Sequence, residues 1–410
     1  MKLWEKKEDC CGCTACKSVC PTSAITMFRD GQGFWYPSID PEKCIQCGMC
    51  RRVCQYIHEK GSIFLPPRQE GFPRFYAAKH KSPQVVKHSS SGGFFTAVSD
   101  HLLARGGVIY GAAFAGDFSV AHIRGTTAGQ RDGMRGSKYV QSRVGDAFLG
   151  VREDLEQGRP VLFTGTPCQV RGLRHFLTAR RVPTDGLILC DFICHGTPSS
   201  RLWEDYLARL KGRYGPLEDV EFRNKDRGWN RTRMKIRVGD RILEESWEDN
   251  PFYRLFWAGV CLAPGCYRCQ CASLHRAGDL TMADFWGAEH THPRMDQGQG
   301  ASLVLVNTPK GKKLLKELAP VLSLERARAE EFFQPNLARP TARPPRTDQF
   351  WEEYRREGFD FVLQKYSRLS LPQRLVKKVA APLLKKAGLY EKTARLAAAL
   401  AGSRSRPRLS

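Results

Sequence analysis

The feature that most limits the fold is a string of four cysteines near the start of the chain that occurs twice. The first string contains Cys10, Cys13, Cys16 and Cys20, followed by Pro21, and the second contains Cys44, Cys47, Cys50 and Cys54. The intervals are the same in both strings, and Gly12 and Gly48 stand where the chain must turn tightly. Because four thiolates at such intervals can surround a metal centre, the two strings indicate two matched centres.

These intervals are the bacterial C-x2-C-x2-C-x3-C-P pattern of two 4Fe–4S clusters, in which the fourth cysteine of each string binds the other cluster. The pattern predicts one cluster on Cys10, Cys13, Cys16 and Cys54 and another on Cys44, Cys47, Cys50 and Cys20. Residues 5–58 resemble a bacterial-type ferredoxin domain, with two departures: Gln55 replaces the proline of the pattern, and Cys11 is an additional thiol. Zinc is the alternative metal, although zinc sites have four ligands, usually in two CxxC pairs.

The composition excludes several classes of protein. The 410 residues are 41% hydrophobic, which is enough for one large core and a small satellite domain. No apolar run reaches the roughly 18–20 residues needed to span a bilayer, and the first residues lack the apolar stretch of a secretory signal. Sixteen cysteines in such a chain favour metal binding or redox chemistry over a disulfide framework. We therefore expect a cytoplasmic protein.

Nearly half of the net charge of +23 lies in a short segment near the C-terminus. From Arg368 onward the chain has eleven Lys and Arg residues against one acidic residue, so the excess is local and does not indicate a nucleic-acid-binding protein. Apolar residues recur there near helical spacing, which predicts a basic amphipathic helical tail over residues 366–410, interrupted by Pro372 and Pro382. One interpretation is peripheral contact with the inner membrane surface or a partner. The other is a packing helix with a solvated basic face.

Between the cysteine strings and the tail, strand-like stretches such as "GVIYGAAF", "PVLFTG", "GLILCDF" and "DLTMADF" alternate with helix-like ones. This alternation predicts an α/β main domain with a central sheet, next to a small N-terminal α+β two-cluster ferredoxin domain. We expect the ferredoxin-type domain at residues 1–60, a Pro/Gly-rich linker at 61–73, and the main domain at 74–365. The main domain divides into an N-terminal part (74–150), a C-terminal part (151–310) and a helical extension (311–365).

Seven further cysteines lie in the main domain: Cys168, Cys190, Cys194, Cys261, Cys266, Cys269 and Cys271. Cys168 and Cys194 each follow a predicted strand, where ligands gather in open α/β sheets, and Cys266 and Cys269 form a CxxC. We expect these four to bind a third 4Fe–4S cluster, with structural zinc as the alternative. Cys261 and Cys271 compete for the last two places, whereas Cys190, inside an apolar strand, is expected to be an inert buried thiol.

Six strings of the main domain are informative as a set. They are, in order, "SSSGGFFTAV", "GSKYVQS", "LFTGTPCQVRGL", "ICHGTPS", "FRNKDRGW" and "CYRCQCASLHRAGDLTMADFWG". Together they resemble the coenzyme F420 hydrogenase/dehydrogenase beta-subunit family over about residues 75–310. That family is similar in its core to 7-hydroxymethyl chlorophyll a reductase and to the ferredoxin-dependent divinyl chlorophyllide reductase. The resemblance implies an iron–sulfur oxidoreductase with FAD, whose flavin links one-electron transfer from the clusters to two-electron chemistry on an organic substrate or a deazaflavin.

The resemblance also implies the residues that border the cofactors, namely Ser91, Gly92, Gly93, Lys138, Tyr139, Gln141, Ser142, Gly165, Thr166 and Pro167. Lys138 would place positive charge near a phosphate or the flavin N1 region, and the alternative is a solvated loop lysine. His195 is the expected proton donor because its ordinary pKa lies near neutrality, and the alternative is a structural role beside a cluster. Asp284 ends a predicted strand as either a site carboxylate or a turn residue.

Two functions from different classes fit these expectations. The first is a free-standing reductase with its own small organic substrate, and the second is an electron-transfer subunit that works only inside a larger redox complex. In both cases the ferredoxin domain suggests a soluble electron carrier, either a ferredoxin or a reduced deazaflavin of the coenzyme F420 type.

Overall fold

The structure of the protein is a computed structural model that describes residues 3–57, 70–332 and 334–367. Most of the linker predicted at residues 61–73 lies outside the described residues. The basic tail predicted at 366–410 also lies outside them, except for residues 366 and 367 at the end of the last helix.

The N-terminal region is a small α+β unit built around the two cysteine strings. Its elements are α1 (Ala15–Val19), β1 (Ile25–Arg29), β2 (Trp35–Ile39) and α2 (Met49–Val53). Each helix begins after a left-handed residue, Thr14 (φ 66°) or Gly48 (φ 73°), and ends where the fourth cysteine of its string returns to extended backbone. The two strings therefore fold as equivalent turns, and the antiparallel β1–β2 pair separates them.

The main domain is built on an eight-stranded mixed sheet, as the alternation of stretches predicts. Its first half contains β3 (Arg74–His80), α3 (Pro83–Lys87), α4 (Phe94–Leu103), β4 (Val108–Phe114), β5 (Val120–Gly125), α5 (Ala128–Asp132), α6 (Ala147–Glu156), β6 (Val161–Gly165), α7 (Pro167–Ala179), β7 (Leu187–Phe192) and α8 (Ser200–Tyr214). Its second half contains β8 (Leu217–Asn224), β9 (Arg233–Val238), β10 (Arg241–Ser246), α9 (Pro251–Ala258), β11 (Leu280–Asp284), α10 (Ala288–Thr291), α11 (Pro293–Asp296), β12 (Ser302–Val306), α12 (Pro309–Glu317), β13 (Leu322–Ala327), α13 (Thr347–Glu357) and α14 (Phe359–Ser367). The strand order is β13-β3-β12-β11-β7-β6-β4-β5.

One edge of this sheet collects the segments that carry the predicted site residues. Strands β4, β6, β7 and β11 run parallel, so their carboxyl ends lie side by side. The antiparallel register pairs Asp284 with Ser302 and Ser302 with Ala78, so the start of β12 and the end of β3 lie at the same edge. In open α/β sheets, ligands bind beyond the carboxyl ends of the strands.

A second, three-stranded antiparallel sheet of β8, β9 and β10 lies within the main domain and was not expected from the sequence. Its apolar residues pack with α8 and α9 in a cluster that includes Trp203, Phe222 and Phe252. Two further buried clusters lie on the faces of the large sheet, one against α7 and the other against α4 and α12. Among the described residues, no helix is both long and apolar enough to cross a membrane.

Candidate metal centres

The structure brings Cys54 of the second string to three cysteines of the first, as the crossover pattern predicts. Cys10, Cys13, Cys16 and Cys54 line one cavity. Burial raises the pKa of the Cys10 thiol, and the nearby Cys13 and Cys54 raise it further because neighbouring thiolates repel one another. We call this group the inner set.

Cys20, Cys44, Cys47 and Cys50, which we call the outer set, lie closer to solvent. Three of them pack around a small apolar cluster that includes Ile25 and Ile39. Burial raises the pKa of Cys50, with smaller contributions from Cys47 and Cys44. Cys47 is exposed, whereas Cys16 of the inner set is buried.

The four cysteines predicted to bind a third cluster line a single cavity at the carboxyl edge of the sheet. Cys168 lies in the first turn of α7 directly after β6, and Cys194 follows β7. Cys266 lies in a short 3-10 helix, Pro264–Arg268, and Cys269 comes at its end. We call Cys168, Cys194, Cys266 and Cys269 the third set.

The remaining cysteines separate into two environments. Cys190 is buried within β7, and Cys261 is buried in an apolar cluster with Leu202 and Phe350. Cys271 is also buried, and its Sγ donates to Gln55 Oε1 at 3.4 Å. Cys11 lines the cavity of the third set as well as that of the inner set, so the two cavities are adjacent.

Hydrogen-bond donors point at several of these sulfur atoms. Gly12 N donates to Cys10 Sγ and Thr197 N to Cys266 Sγ, both at 3.4 Å. Thr166 Oγ1 and Cys168 Sγ lie 3.1 Å apart, and either atom can donate; the hydroxyl is the donor when the sulfur is a thiolate. Such donors stabilise the thiolate over the thiol. They also stabilise the added negative charge of a reduced iron–sulfur cluster.

A buried arginine fixes the loop that carries Cys266 to Cys271. Arg276 pairs with Asp191 at 2.8 Å, and both side chains are almost fully buried. Its Nη1 donates to Cys271 O at 3.0 Å and its Nη2 to Phe192 O at 3.0 Å. Arg276 therefore joins the cysteine loop to the end of β7, just before Cys194.

None of the sixteen cysteines forms a disulfide. Among the described residues, no group of three or more His, Cys, Asp or Glu side chains is arranged to hold a single metal ion. A 4Fe–4S cube differs from a zinc site because each thiolate binds a different iron, so the four sulfur atoms stand farther apart than they do around one ion.

The Ser91–Gly93 loop lies where β3 and β12 meet. Ser91 Oγ donates to Ala301 O at 2.7 Å, and Gly92 N donates to Ser302 Oγ at 3.0 Å. A Cβ on Gly92 would lie 2.4 Å from Ala78 O, so the strand packing itself requires glycine there. Gly93 begins α4 with φ 88°, a backbone conformation that favours glycine.

The segment from Lys138 to Ser142 crosses the same edge. Lys138 Nζ donates to Arg135 O at 2.7 Å, and desolvation lowers the pKa of this lysine to about 7. Tyr139 packs against Phe222 of β8 and Tyr253 of α9. Ser142 Oγ lies 2.6 Å from His122 Nδ1, and burial lowers the pKa of that histidine to about 4.

Three of the predicted flavin residues, Gln141, Thr166 and Pro167, line the cavity of the third set. Gly165 directly precedes Thr166 at the end of β6. His195 lines the same cavity, and burial lowers its pKa while a side-chain hydrogen bond with Asn336 acts to raise it. Asp284 forms an ion pair with Arg223.

Comparison with known proteins finds a match in each of the two regions. Residues 9–56 match the model of a 4Fe–4S dicluster domain, and residues 158–330 match the C-terminal region of the coenzyme F420 hydrogenase/dehydrogenase beta subunit. The chain is therefore similar to both families, to each over less than half of its length.

Individual relatives are similar to parts of the chain. Over 174 residues the chain is 24% identical to a subunit of the F(420)H(2) dehydrogenase of Methanosarcina mazei, covering 40% of this chain and 47% of the relative. It is 47% identical over 45 residues to a subunit of the Na(+)-translocating ferredoxin:NAD(+) oxidoreductase complex of Acetobacterium woodii, covering 11% and 12%. It is also 40% identical over 58 residues to an uncharacterized ferredoxin of Methanocaldococcus jannaschii, covering 14% and 32%. The chain thus spans less than half the length of each of these curated relatives.

A solved structure is also similar to this chain. It is a chain of the F420-reducing [NiFe] hydrogenase complex from Methanosarcina barkeri, with 17% identity and a TM-score of 0.46. The similarity covers 74% of this chain and 92% of the other.

Sequence reasoning missed the residues that connect these centres. Cys11 and Gln55 stand out in the sequence only as departures from the ferredoxin pattern, and their positions between two cavities come from the tertiary packing. Arg276 has no distinguishing local pattern, because it pairs with Asp191 on a strand far away in the sequence. The departure at residue 55 is the one signal that could have pointed to this region.

Proposed function

We propose that this protein is an iron–sulfur flavoprotein oxidoreductase that passes electrons between 4Fe–4S clusters and an organic substrate or a deazaflavin through FAD. One observation carries the proposal: the cavity of the inner cysteine set adjoins a second cavity, lined by four cysteines, at the sheet edge where ligands bind. The iron–sulfur redox role follows from the two matched families. The flavin, the third cluster and the substrate belong to the proposal.

The cysteines fit the proposed clusters by their chemistry. Each of the three sets supplies four thiols, which is the number that one 4Fe–4S cluster requires. In the third set, the Thr197 N–H already donates to Cys266 Sγ, and the Thr166 hydroxyl lies 3.1 Å from Cys168 Sγ, where it can donate to a thiolate. A hydrogen bond with Cys269 and burial raise the pKa of the adjacent Cys271, whereas Arg171 and Arg276 act to lower it, so positive charge lies next to the site of an anionic cluster.

Lys138 and the neighbouring loops support a flavin site at this edge of the sheet. Lys138 is a cation whose pKa desolvation lowers to about 7, so a nearby anion such as a phosphate would stabilise its charged form. Ser90 Oγ and Ser137 Oγ lie 3.1 Å apart, which joins the Ser/Gly loop to the Lys138 segment. FAD supplies the conversion between one-electron and two-electron transfer, and these residues would bind and orient it.

The exposure of the three sets suggests the order of electron transfer. Cys47 of the outer set is exposed, so a soluble carrier would exchange electrons there. The inner set comes next, and its cavity shares Cys11 with that of the third set. We therefore propose the order carrier, outer cluster, inner cluster, third cluster and flavin, or the reverse.

A second candidate function is that of a non-autonomous electron-transfer subunit. The names of two relatives describe subunits of larger redox assemblies. Gel filtration followed by an assay with reduced ferredoxin, reduced deazaflavin or dithionite and candidate acceptors distinguishes the two functions. Turnover by the isolated chain would eliminate the subunit-only interpretation.

We propose that the protein is cytoplasmic, and that its basic tail either contacts the inner membrane surface or a partner, or packs as a helix with a solvated basic face. Deleting residues 368–410 and measuring co-sedimentation with anionic liposomes tests this contact, because the tail carries eleven of the Lys and Arg residues. Unchanged binding after the deletion would reject a membrane role for the tail.

The decisive experiment counts iron and identifies flavin in anaerobically prepared protein. Three clusters predict about twelve irons per chain, and denaturation should release FAD. Cys266→Ala should reduce the count to about eight, whereas Cys190→Ala should leave it unchanged because Cys190 is buried within β7. About eight irons in the wild-type protein, or zinc in place of iron, would refute the third cluster, and absence of a released flavin would refute the flavoprotein assignment.

A further inference from the structure

We propose that Gln55 is a positioning residue that joins the inner cluster to the third cluster and raises the reduction potential of the inner one. This inference rests on the proposed function, because it requires clusters at both cysteine sets. Gln55 directly follows Cys54, a ligand of the predicted inner cluster, at the position where the ferredoxin pattern has proline.

The Gln55 side chain is only 2% exposed, and its hydrogen bonds reach Cys11 and two residues in or beside the third set. Nε2 donates to Cys168 O at 3.0 Å and to Cys11 Sγ at 3.2 Å. Oε1 accepts from Cys271 Sγ at 3.4 Å. A side-chain amide has two N–H donors and one carbonyl acceptor, so both of its ends are used.

These contacts fix the orientation of the amide. If the amide were rotated by half a turn, its oxygen would face the Cys168 carbonyl oxygen, and two acceptors would then lie against each other. The arrangement is also specific to glutamine. A proline at this position would provide neither the donor nor the acceptor. Leucine or methionine would fill the space but would make none of these hydrogen bonds.

The surrounding contacts hold the ferredoxin unit in the same place. Tyr56 OH donates to Gly265 O at 3.1 Å, in the short helix that carries Cys266. Asp9 and Arg268 form an ion pair at 3.4 Å across the same boundary. Gln55 therefore lies within a packed interface between the inner and third sets.

Gln55 also lines the cavity of the inner set. Its Nε2 donates there to Cys11 Sγ at 3.2 Å, and Cys11 borders both cavities. An N–H beside a cluster stabilises the additional electron of the reduced cluster, so it raises the reduction potential. One side chain thus borders the site of one centre and contacts the backbone of a ligand of the other.

Gln55→Met tests the proposal in the full-length, anaerobically prepared protein, with Gln84→Met on the exposed face of α3 as the matched control. The readouts are iron content, the midpoint potential of each cluster by redox titration with electron paramagnetic resonance, and the magnetic interaction between clusters in the fully reduced protein. Cys266→Ala identifies the signal of the third cluster by its loss.

Gln55→Met should keep about twelve irons, lower the midpoint potential of the inner cluster, and weaken the interaction between the inner and third clusters. Gln84→Met should match the wild-type protein in all three readouts. Wild-type potential and interaction in Gln55→Met would overturn the inference while leaving the proposed function intact. About eight irons in the wild-type protein would instead refute the third cluster, and the inference with it.

Gln55→Glu keeps the inference testable if Gln55→Met fails to assemble. It has almost the same shape and keeps an acceptor, but it loses the donor and adds negative charge. We expect a larger decrease in the potential of the inner cluster than in Gln55→Met. An unchanged potential would overturn the proposal.

Discussion

Gly172 in α7 lies where the ferredoxin unit packs against the main domain, and a methyl group added there should disturb that contact. α1 and α2 both pack against α7, and a Cβ added to Gly172 would lie 2.9 Å from Cys13 Sγ and 3.0 Å from Cys13 Cβ. Carbon atoms of side chains almost never approach so closely, so Gly172→Ala must displace either the helix or the sulfur. Because Cys13 is a predicted cluster ligand, its sulfur cannot rotate away without losing the iron.

The expected magnitude follows from two opposing effects. Alanine is more favourable than glycine inside a helix by about 1 kcal/mol, whereas overpacking a filled interior costs about 1–3 kcal/mol. Gly212→Ala in α8 is the matched control, since a methyl group there meets no atom within 4 Å. The difference between the two variants therefore isolates the overpacking, and Gly172→Ala should be less stable than Gly212→Ala by about 1–3 kcal/mol.

Thermal unfolding under anaerobic conditions measures this difference, with iron content as the second readout. Each kcal/mol corresponds to a change in Tm of about 2–4 °C for a domain of 150–250 residues, so Gly172→Ala should melt several degrees below Gly212→Ala. It should also lose iron from the inner set. Equal melting temperatures and full iron content in both variants would refute the close approach of Cys13 to α7.

Two further predictions concern buried ionisable side chains. Arg276→Met should destabilise the protein by about 3–5 kcal/mol, because it leaves Asp191 buried without its cation. The control Arg227→Met breaks an exposed ion pair and should change stability by less than about 1 kcal/mol. Equal destabilisation by the two variants in anaerobic thermal unfolding would contradict the prediction for Arg276. The pKa of His122 is lowered to about 4 by burial, so the unfolded chain binds its proton first and stability should fall as the pH decreases from about 6.5 to 4. His122→Phe should show a smaller decrease in Tm between pH 7.5 and pH 5 than the wild-type protein, and parallel pH profiles would contradict the buried neutral histidine.

The ferredoxin region could be predicted in detail because the spacing of its cysteines determines its local geometry. Two-residue gaps determine the turns, and the crossover pattern determines that Cys54 lies with Cys10 rather than with Cys50. The alternation of strand-like and helix-like stretches likewise predicts the central sheet, since the period of the apolar residues in each stretch reflects its local conformation. Such features depend on residues that are close together in the chain.

The contacts between the two regions could not be predicted, because they depend on where a strand edge and a cysteine loop meet. Gln55 contacts Cys168 and Cys271, and no periodicity links residues so far apart in the sequence. The small sheet of β8 to β10 was missed for another reason. Its strand β10 is mostly polar and has no fully buried residue, so it lacks the strong apolar alternation that indicates a half-buried strand.

The difference in exposure between the outer and inner sets has a consequence for the surrounding solution. Mobile ions screen charges that face water within about 10 Å at 0.1 M salt, but they screen buried charges much less. In the proposed order of electron transfer, dissolved salt should therefore change the driving force only at the step between the carrier and the outer cluster, where Cys47 meets the solvent. The steps between the buried sets would be almost independent of salt, so ionic strength would change how readily the protein exchanges electrons with its carrier and leave transfer inside the protein unchanged.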